Sequence, residues 1–240
     1  MNKFSEILKS SERIVFFGGA GVSTASGIPD YRSKDGIYNQ KYKYPPEVML
    51  SRGFFDGHTE EFFEFYKDKM LHPNAKPNAA HRVLAKLEKT GKLSCVITQN
   101  VDGLHQAAGS KKVLELHGSA HRNFCTECAK EYDMLYMKNS EGIPRCECGG
   151  VIKPYVVLYE EGLSIDVIDG AIREISNADT LIIGGTSLAV YPAAGLVDYF
   201  KGKNLVVINQ TPTSSDSKAT LCINDDIAKV FEEAEQELGL

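Results

Sequence analysis

The run Arg13-Ile14-Val15-Phe16-Phe17-Gly18-Gly19-Ala20-Gly21-Val22-Ser23-Thr24 decides how the rest of the chain is read. Arg13 to Phe17 is short, apolar and bounded by glycine, the pattern of a strand covered on both faces. The glycines behind it mark at least a tight turn, and Gly19-Ala20-Gly21-Val22-Ser23 lets backbone amides approach an anion such as a pyrophosphate closely. Ser23 or Thr24 is placed to open a following helix with its positive end toward that anion. The run misses the GxGxxG fingerprint because Thr24 stands in the third glycine's place, which points to a nucleotide held in another pose than in hydride transfer.

Outward from this loop, short β-branched or apolar runs alternate with helical segments. Strands are expected at Arg13 to Phe17, Ser94 to Thr98, Val113 to Leu116, Thr180 to Ile183 and Leu205 to Ile208, with Ala219 to Ile223 at an edge. Helices are expected at Asn2 to Ser10, Thr59 to Leu71, Asn78 to Thr90, Ser164 to Ser176, Ala193 to Phe200 and Asp226 to Glu237. The fold class is α/β, a doubly wound, Rossmann-like parallel sheet. Residues 1–33, 78–122 and 154–240 belong to that large domain. A helical insertion rich in aromatics runs from about Lys34 to Pro77, and a cysteine module from about Asn123 to Lys153.

With 240 residues, 42% apolar, 25% charged and a net charge of -5, the chain suits one domain with insertions and shows no sign of disorder. An acidic balance argues against direct binding to nucleic acid or to a membrane surface, which need a concentrated basic face. No apolar run approaches the roughly 18 residues that span a bilayer, and Met1-Asn2-Lys3-Phe4-Ser5-Glu6 lacks the order of a signal peptide. A cytoplasmic, monomeric protein is expected.

In a reducing compartment clustered cysteines read as metal ligands. Cys125-Thr126-Glu127-Cys128 and Cys146-Glu147-Cys148 have the spacing of a ribbon-type site in which four thiolates hold one structural zinc ion. The second pair has one intervening residue rather than two, and Gly149-Gly150 supplies the backbone freedom its tighter turn demands. Cys95 and Cys222 lie in apolar strand-like runs and read as core residues.

Taken in order, Gly19-Ala20-Gly21-Val22-Ser23-Thr24-Ala25-Ser26-Gly27-Ile28-Pro29-Asp30-Tyr31-Arg32-Ser33, Thr98-Gln99-Asn100-Val101-Asp102-Gly103-Leu104-His105, Glu115-Leu116-His117-Gly118, the four cysteines, Gly185-Thr186-Ser187-Leu188 with Val190 and Pro192, and Val207-Ile208-Asn209 resemble the sirtuins, NAD-dependent protein lysine deacylases. The likeness runs from about Arg13 to Asn209. It implies that NAD is consumed: an acyl-lysine oxygen attacks the anomeric carbon of the nicotinamide ribose, nicotinamide leaves, and the acyl group passes to a ribose hydroxyl before hydrolysis by water. Free lysine and O-acyl-ADP-ribose result.

The resemblance also implies roles. Gln99, Asn100 and Asp102 match ribose and nicotinamide contacts, with Asn100 grouped with the catalytic residues, while Ala20, Ile28, Asp30 and Val101 line the nicotinamide pocket. Tyr31 and Arg32 match a lid. Gly21, Ser23, Thr24, Gly185, Thr186, Ser187 and Asn209 fall among the cofactor contacts, and Ile227 is matched to adenine. His117 is the general base, since imidazole is the side chain best poised near neutral pH to take a ribose hydroxyl proton. It alone of the six histidines has a strand before it and a glycine directly after it; His105 is the second choice.

Val157, Leu158 and Tyr159 fall in the segment that pairs with an extended acyl-lysine peptide as an added strand. The family usually carries phenylalanine, glycine and glutamate where this chain has Tyr159, Glu160 and Glu161, so a loop less free to bend is expected. Phe62-Phe63-Glu64-Phe65-Tyr66-Lys67 has no arginine near it, none lying between Arg52 and Arg82, which favours a neutral acyl group, acetyl by default. An ADP-ribosyltransferase using the same NAD site is the alternative. A non-catalytic NAD-sensing or zinc-dependent binding module fits less well, since a sensor needs no general base.

Overall fold

The computed structural model describes residues 1–33 and 36–240, so Lys34 and Asp35, the first two residues of the expected insertion, lie outside the described residues. The strands are β1 (Ile14–Gly18), β2 (Leu93–Thr98), β3 (Val113–Glu115), β4 (Gly118–Cys125), β5 (Glu131–Tyr132), β6 (Ile152–Val156), β7 (Thr180–Gly184), β8 (Asn204–Ile208) and β9 (Leu221–Ile223). The helices are α1 (Lys3–Ser10), α2 (Pro46–Met49), α3 (Arg52–Gly57), α4 (Thr59–Lys69), α5 (Ala79–Lys89), α6 (Leu104–Ala107), α7 (Met134–Asn139), α8 (Ile165–Ser176) and α9 (Ile227–Leu238).

Six strands form one parallel sheet in the order β3-β2-β1-β7-β8-β9. The direction of winding reverses between β1 and β7, and in such sheets the crevice at the carboxyl ends of those two strands is where ligands bind. Alternation along each strand explains the two layers of helix. Ile14, Phe16, Val96, Ile182, Val206 and Ile208 share a core with Leu8 of α1, Leu84 of α5 and Phe231 of α9. Val15, Phe17, Cys95, Ile97, Leu181, Ile183 and Val207 share the opposite core with Ala171 and Ile175 of α8 and Leu196.

Local chemistry sets the helix starts. Asn2 accepts from the Ser5 amide, Asn78 from the Ala80 amide and Asp226 from the amides of Ala228 and Lys229. Gly239, at φ 65, closes α9. No helix among the described residues is long and apolar enough to cross a membrane.

Three expectations are corrected. The helix expected after Ser23 or Thr24 is replaced by two 3-10 turns, Ala20–Val22 and Thr24–Ser26. Ser23 is drawn to Asp102, the Thr24 hydroxyl turns back to the Gly21 carbonyl, and Gly27 at φ 82 breaks the winding ahead of Pro29. Ala193–Tyr199 winds as a 3-10 rather than an α-helix, with Gly195 inside it offering little α-helical preference. Cys222 is exposed rather than buried, because on edge strand β9 it alternates with Leu221 and Ile223, which take the side packed against the core.

β4, β5 and β6 form a second, antiparallel sheet in the order β5-β4-β6. The aromatic insertion and the cysteine stretch share one apolar core, in which Phe62, Phe63 and Tyr66 of α4 join Met134, Met137, Cys125, Cys146 and Ile152. The Lys67 ammonium seals the joint by donating to the carbonyls of Ser140 and Gly142, both at 2.6 Å.

Against the six-stranded sheet, His81 of α5 and His105 of α6 pack with ring centroids 4.7 Å apart and planes tilted by 58°, both essentially without solvent contact. Burial holds His81 down at about 4 and His105 well below the usual imidazole range. The unfolded chain therefore binds protons that the folded one refuses. The stability this pair confers is complete above about pH 6.5 and falls by a few kcal/mol as the pH drops toward 4. Urea midpoints measured against pH test this, and His105→Phe, which removes one of the two titrations, is expected to flatten the acid limb.

Candidate active site

The loops after β1, β2, β3 and β7 meet at the switch point, and the first contact is backbone on backbone. The Gly21 amide donates to the Gly185 carbonyl at 2.8 Å. A Cβ on Gly21 would lie 2.8 Å from the Gly185 Cα, and one on Gly185, which has φ +57, would lie 2.4 Å from the Val22 nitrogen. Only glycine fits either position.

Gln99 ties three of these loops together. Its amide donates to the Gly18 carbonyl at 2.9 Å, its side-chain Nε2 to Thr186 Oγ1 at 2.9 Å, and its carbonyl accepts from His117 Nδ1 at 3.0 Å. Beside it, Asn100 Nδ2 donates to Ser23 Oγ at 3.1 Å, and Ser23 Oγ donates to Asp102 Oδ2 at 2.6 Å. The other Asp102 oxygen accepts from the Leu104 amide at 2.9 Å. Thr98, which the sequence reading passed over, fixes Asn100 by accepting its amide at 3.0 Å.

A carbonyl can only accept, so the bond to Gln99 places the imidazole proton of neutral His117 on Nδ1 and leaves the Nε2 lone pair free. Burial lowers the His117 pKa from its ordinary value, and the Gln99 bond opposes that shift. Gly118 at φ +77 turns the chain sharply behind the imidazole, and a Cβ there would meet the Tyr155 carbonyl oxygen at 2.1 Å. His105, the second choice, is 1% exposed, and neither of its ring nitrogens has a partner among the described residues, so it belongs to the core and not to the crevice.

The lid expected at Tyr31 and Arg32 lies against the same loops. Arg32 reaches Ser187 Oγ at 3.5 Å, the outer limit of a hydrogen bond, and its guanidinium stands 5.2 Å from the Tyr38 ring centroid. Tyr31 points its hydroxyl at Met70 Sδ, 3.7 Å away. Asp30 receives the Ser33 amide at 3.2 Å, and its carbonyl accepts from the Ile37 amide at 2.8 Å. Ala20 and Ile28 are half-buried beside Ser23, and the half-buried Val101 accepts from the Ala120 amide at 2.9 Å.

The farther residues are less closely drawn in. Thr24 is exposed and bonded to its own loop. Asn209 donates its side-chain amide to the Thr211 carbonyl at 2.7 Å. Ile227 is 4% exposed, and its Cδ1 fills the space beside Gly184, so its side chain is committed to the core.

The segment Val157, Leu158 and Tyr159 adjoins His117 directly, since the Val157 amide donates to the His117 carbonyl at 2.9 Å. Tyr159 exchanges backbone bonds with Leu50 at 3.0 Å and Arg52 at 2.9 Å. At Glu160, where a loop less free to bend is expected, the backbone adopts φ 76, a left-handed conformation ordinarily given to glycine, while the carboxylate accepts the Gly53 amide at 2.8 Å. Glu161 is held by Lys153 at 3.2 Å, by Arg52 at 3.3 Å and by the Leu158 amide at 2.9 Å. This brace of Lys153, Arg52 and Leu50 was not visible in the sequence.

The four sulfur atoms of Cys125, Cys128, Cys146 and Cys148 all lie within 4.8 Å of one another. Cys125–Cys148, Cys128–Cys148 and Cys128–Cys146 approach to 3.4, 3.5 and 3.6 Å. Tetrahedral thiolate bonds of about 2.3 Å require sulfurs about 3.8 Å apart, so the set fits zinc closely. Gly149 takes φ +91 in the short second knuckle, and a Cβ on Gly150 would strike Cys125 Sγ at 2.7 Å. With four protein ligands a bound zinc ion would have no open position, and its role is that of a staple.

A doubly wound sheet with a glycine-lined switch point, a neighbouring imidazole and no hydride-transfer fingerprint defines a nucleotide-using protein of another kind. The Sir2 family model matches residues 19–192. The chain belongs to the Sir2 family. It is 58% identical over 236 residues to a NAD-dependent protein deacetylase of Clostridium acetobutylicum, covering 97% of this chain and 96% of that protein. Among solved structures, a Sir2 enzyme bound to an acetylated peptide superposes with a TM-score of 0.85 at 40% identity, covering 100% of this chain and 99% of that one. A Sir2 complex with a p53 peptide and NAD+ does so at 0.85 and 41%, covering 100% and 98%.

Removing zinc with a strong chelator is expected to release the shared core of the small domain, because these thiolates are its staple. Hydrogen exchange should then lose protection across β4 to β6 and at the α4–α7 joint, while β1, β2 and β7 stay protected. Cys146→Ser should reproduce the loss, and metal analysis should find one zinc per native chain.

Proposed function

We propose that this chain is an NAD-dependent protein lysine deacylase of the cytoplasm, acting as a monomer on acyl-lysine proteins or peptides and preferring neutral acyl groups. The reading rests above all on one arrangement: an imidazole whose Nδ1 is engaged by Gln99, leaving Nε2 basic, beside the Ser23, Asn100 and Asp102 network at the switch point. NAD bound in the crevice supplies an anomeric carbon that becomes electrophilic as nicotinamide departs.

The chain's residues orient, shield and move protons. Gly19 to Gly21 and Gly185 to Ser187 offer backbone and hydroxyl groups to the phosphates, without a long helix behind them. Asn100 and Asp102, held by Thr98, Ser23 and the Leu104 amide, present rigid polar groups to the ribose and nicotinamide side, where orientation supplies much of the rate. Tyr31 and Arg32 close over this side and exclude water. His117 Nε2 accepts the proton of a ribose hydroxyl, which turns that oxygen into the nucleophile that takes the acyl group.

A neutral acyl group is favoured by what surrounds its expected path. Phe62, Phe63, Phe65 and Tyr66 are buried, and Lys67 of the same helix is spent on Ser140 and Gly142. Lys69, the other cation of this helix, is paired with Asp68 at 2.9 Å and lies over the Tyr42 ring, so neither lysine is free to offset an acyl carboxylate, whose burial would be costly.

Labelled NAD and an acetyl-lysine peptide incubated with the protein should give nicotinamide, O-acetyl-ADP-ribose and free lysine. Label left on a protein acceptor would instead favour ADP-ribosyl transfer. His117→Ala is expected to lower turnover by about a hundredfold to ten-thousandfold. Because the base works unprotonated and its pKa is lowered by burial, the acid limb of kcat/KM should fall below about pH 6.5, with the rate lost as the pH drops through it.

A further inference from the structure

The lid flank and the peptide-binding segment touch through two phenols. Tyr38 Oη and Tyr159 Oη lie 2.7 Å apart, bridging positions 121 residues apart in sequence. Among the described residues, no other hydrogen bond joins residues 30–33 or 36–39 to residues 157–161.

Each phenol is anchored in its own segment. Tyr38 donates its amide to the Tyr31 carbonyl at 2.8 Å, and its ring lies edge-on to that of Tyr31 at 5.5 Å and beneath the Arg32 guanidinium at 5.2 Å. Any displacement of Tyr31 and Arg32 is therefore felt by Tyr38. Tyr159 is fixed through its own backbone to Leu50 and Arg52, and the following Glu160 is pinned to the Gly53 amide. Burial and the bond to Tyr159 push the Tyr38 phenol up, so it stays protonated and able to donate across the neutral range. The related segment of the family usually carries phenylalanine at the position of Tyr159, and a phenylalanine cannot make this bond.

We propose that Tyr38 and Tyr159 are a positioning pair whose hydroxyl bond links closure of the lid over NAD to ordering of the segment that receives the acyl-lysine peptide. Neither residue touches the reacting atoms in this role. The bond forms only when the lid is down and the segment is in place, so a ligand that favours one condition favours the other. By linkage, NAD-site ligand and peptide then raise each other's affinity by the same factor. The inference rests on the deacylase reading of the two sites.

The test is a calorimetric cycle with ADP-ribose, which fills the NAD site without reacting, titrated with and without saturating acetyl-lysine peptide. The ratio of the two dissociation constants is the coupling factor. For the native protein it should exceed one, and Tyr159→Phe or Tyr38→Phe should each reduce it about fivefold, as the loss of one hydrogen bond would. The double variant should lose no more than either single one, since both remove the same bond. In steady state, Tyr159→Phe should raise the KM for NAD more than it lowers kcat at limiting peptide.

A coupling factor unchanged in Tyr159→Phe overturns the proposal, even where the melting temperature falls. So does a double variant that loses the product of the two single effects. A native protein that binds neither ADP-ribose nor peptide overturns the deacylase reading together with the pair. One that binds both with a coupling factor indifferent to the phenols overturns the pair alone.

Discussion

The constraint on which the site depends is the approach of two glycine backbones at the switch point. Gly21 and Gly185 stand where any side chain would collide with main chain, and their amide-to-carbonyl bond is what brings the loops after β1 and β7 into one wall. The Gly19 position repeats the requirement, since a Cβ there would meet Thr186 Cβ at 2.8 Å. With the wall closed at that spacing, Thr186 comes within 2.9 Å of Gln99, and the loop after β2 is drawn in. Gln99 in turn holds His117. The imidazole tautomer thus depends on a chain of contacts that begins with two residues lacking a side chain.

That dependence accounts for the division between what the sequence disclosed and what it did not. The six strands of the main sheet and most large helices were legible because their causes are local: continuous apolar runs, and Asn2, Asn78 and Asp226 beside the turns they cap. The cysteine set was legible for the same reason, since its spacing lies along the chain. The site's internal wiring was not. Whether Ser23 caps a helix or donates to Asp102 turns on a residue 79 positions away, and the side chain was free to do either until the fold placed the carboxylate 2.6 Å from it.

The errors have the same origin. Cys222 sits in an apolar run, and nothing in that run tells which of its two faces the edge strand leaves uncovered. The short α2, α3, α6 and α7 escaped because segments of four to six residues carry too little periodicity to be read. The core shared by the insertion and the cysteine stretch was hidden for a similar reason, because the chain separates them. In space Phe62 and Phe63 complete a core with Met134, Met137 and two of the thiols, and a sheet with so few residues needs both that core and its metal to hold shape.

Glu160 shows how a departure from a family pattern can preserve a backbone while changing what holds it. A left-handed conformation costs a residue with a Cβ roughly 1–2 kcal/mol that glycine escapes. A carboxylate accepting a backbone amide returns a comparable amount, roughly 1.5–3 kcal/mol where it is shielded and less where water competes. The bend is therefore retained at little net expense, but the loop that glycine would leave free is now tied to Gly53 on one side and, through Glu161, to Lys153 and Arg52 on the other. Because the Val157 amide also rests on the His117 carbonyl, this fixed edge and His117 share one backbone frame. A strand added to the edge would take its register from the residue proposed as the base, so that on this reading positioning of the substrate and of His117 becomes a single structural problem.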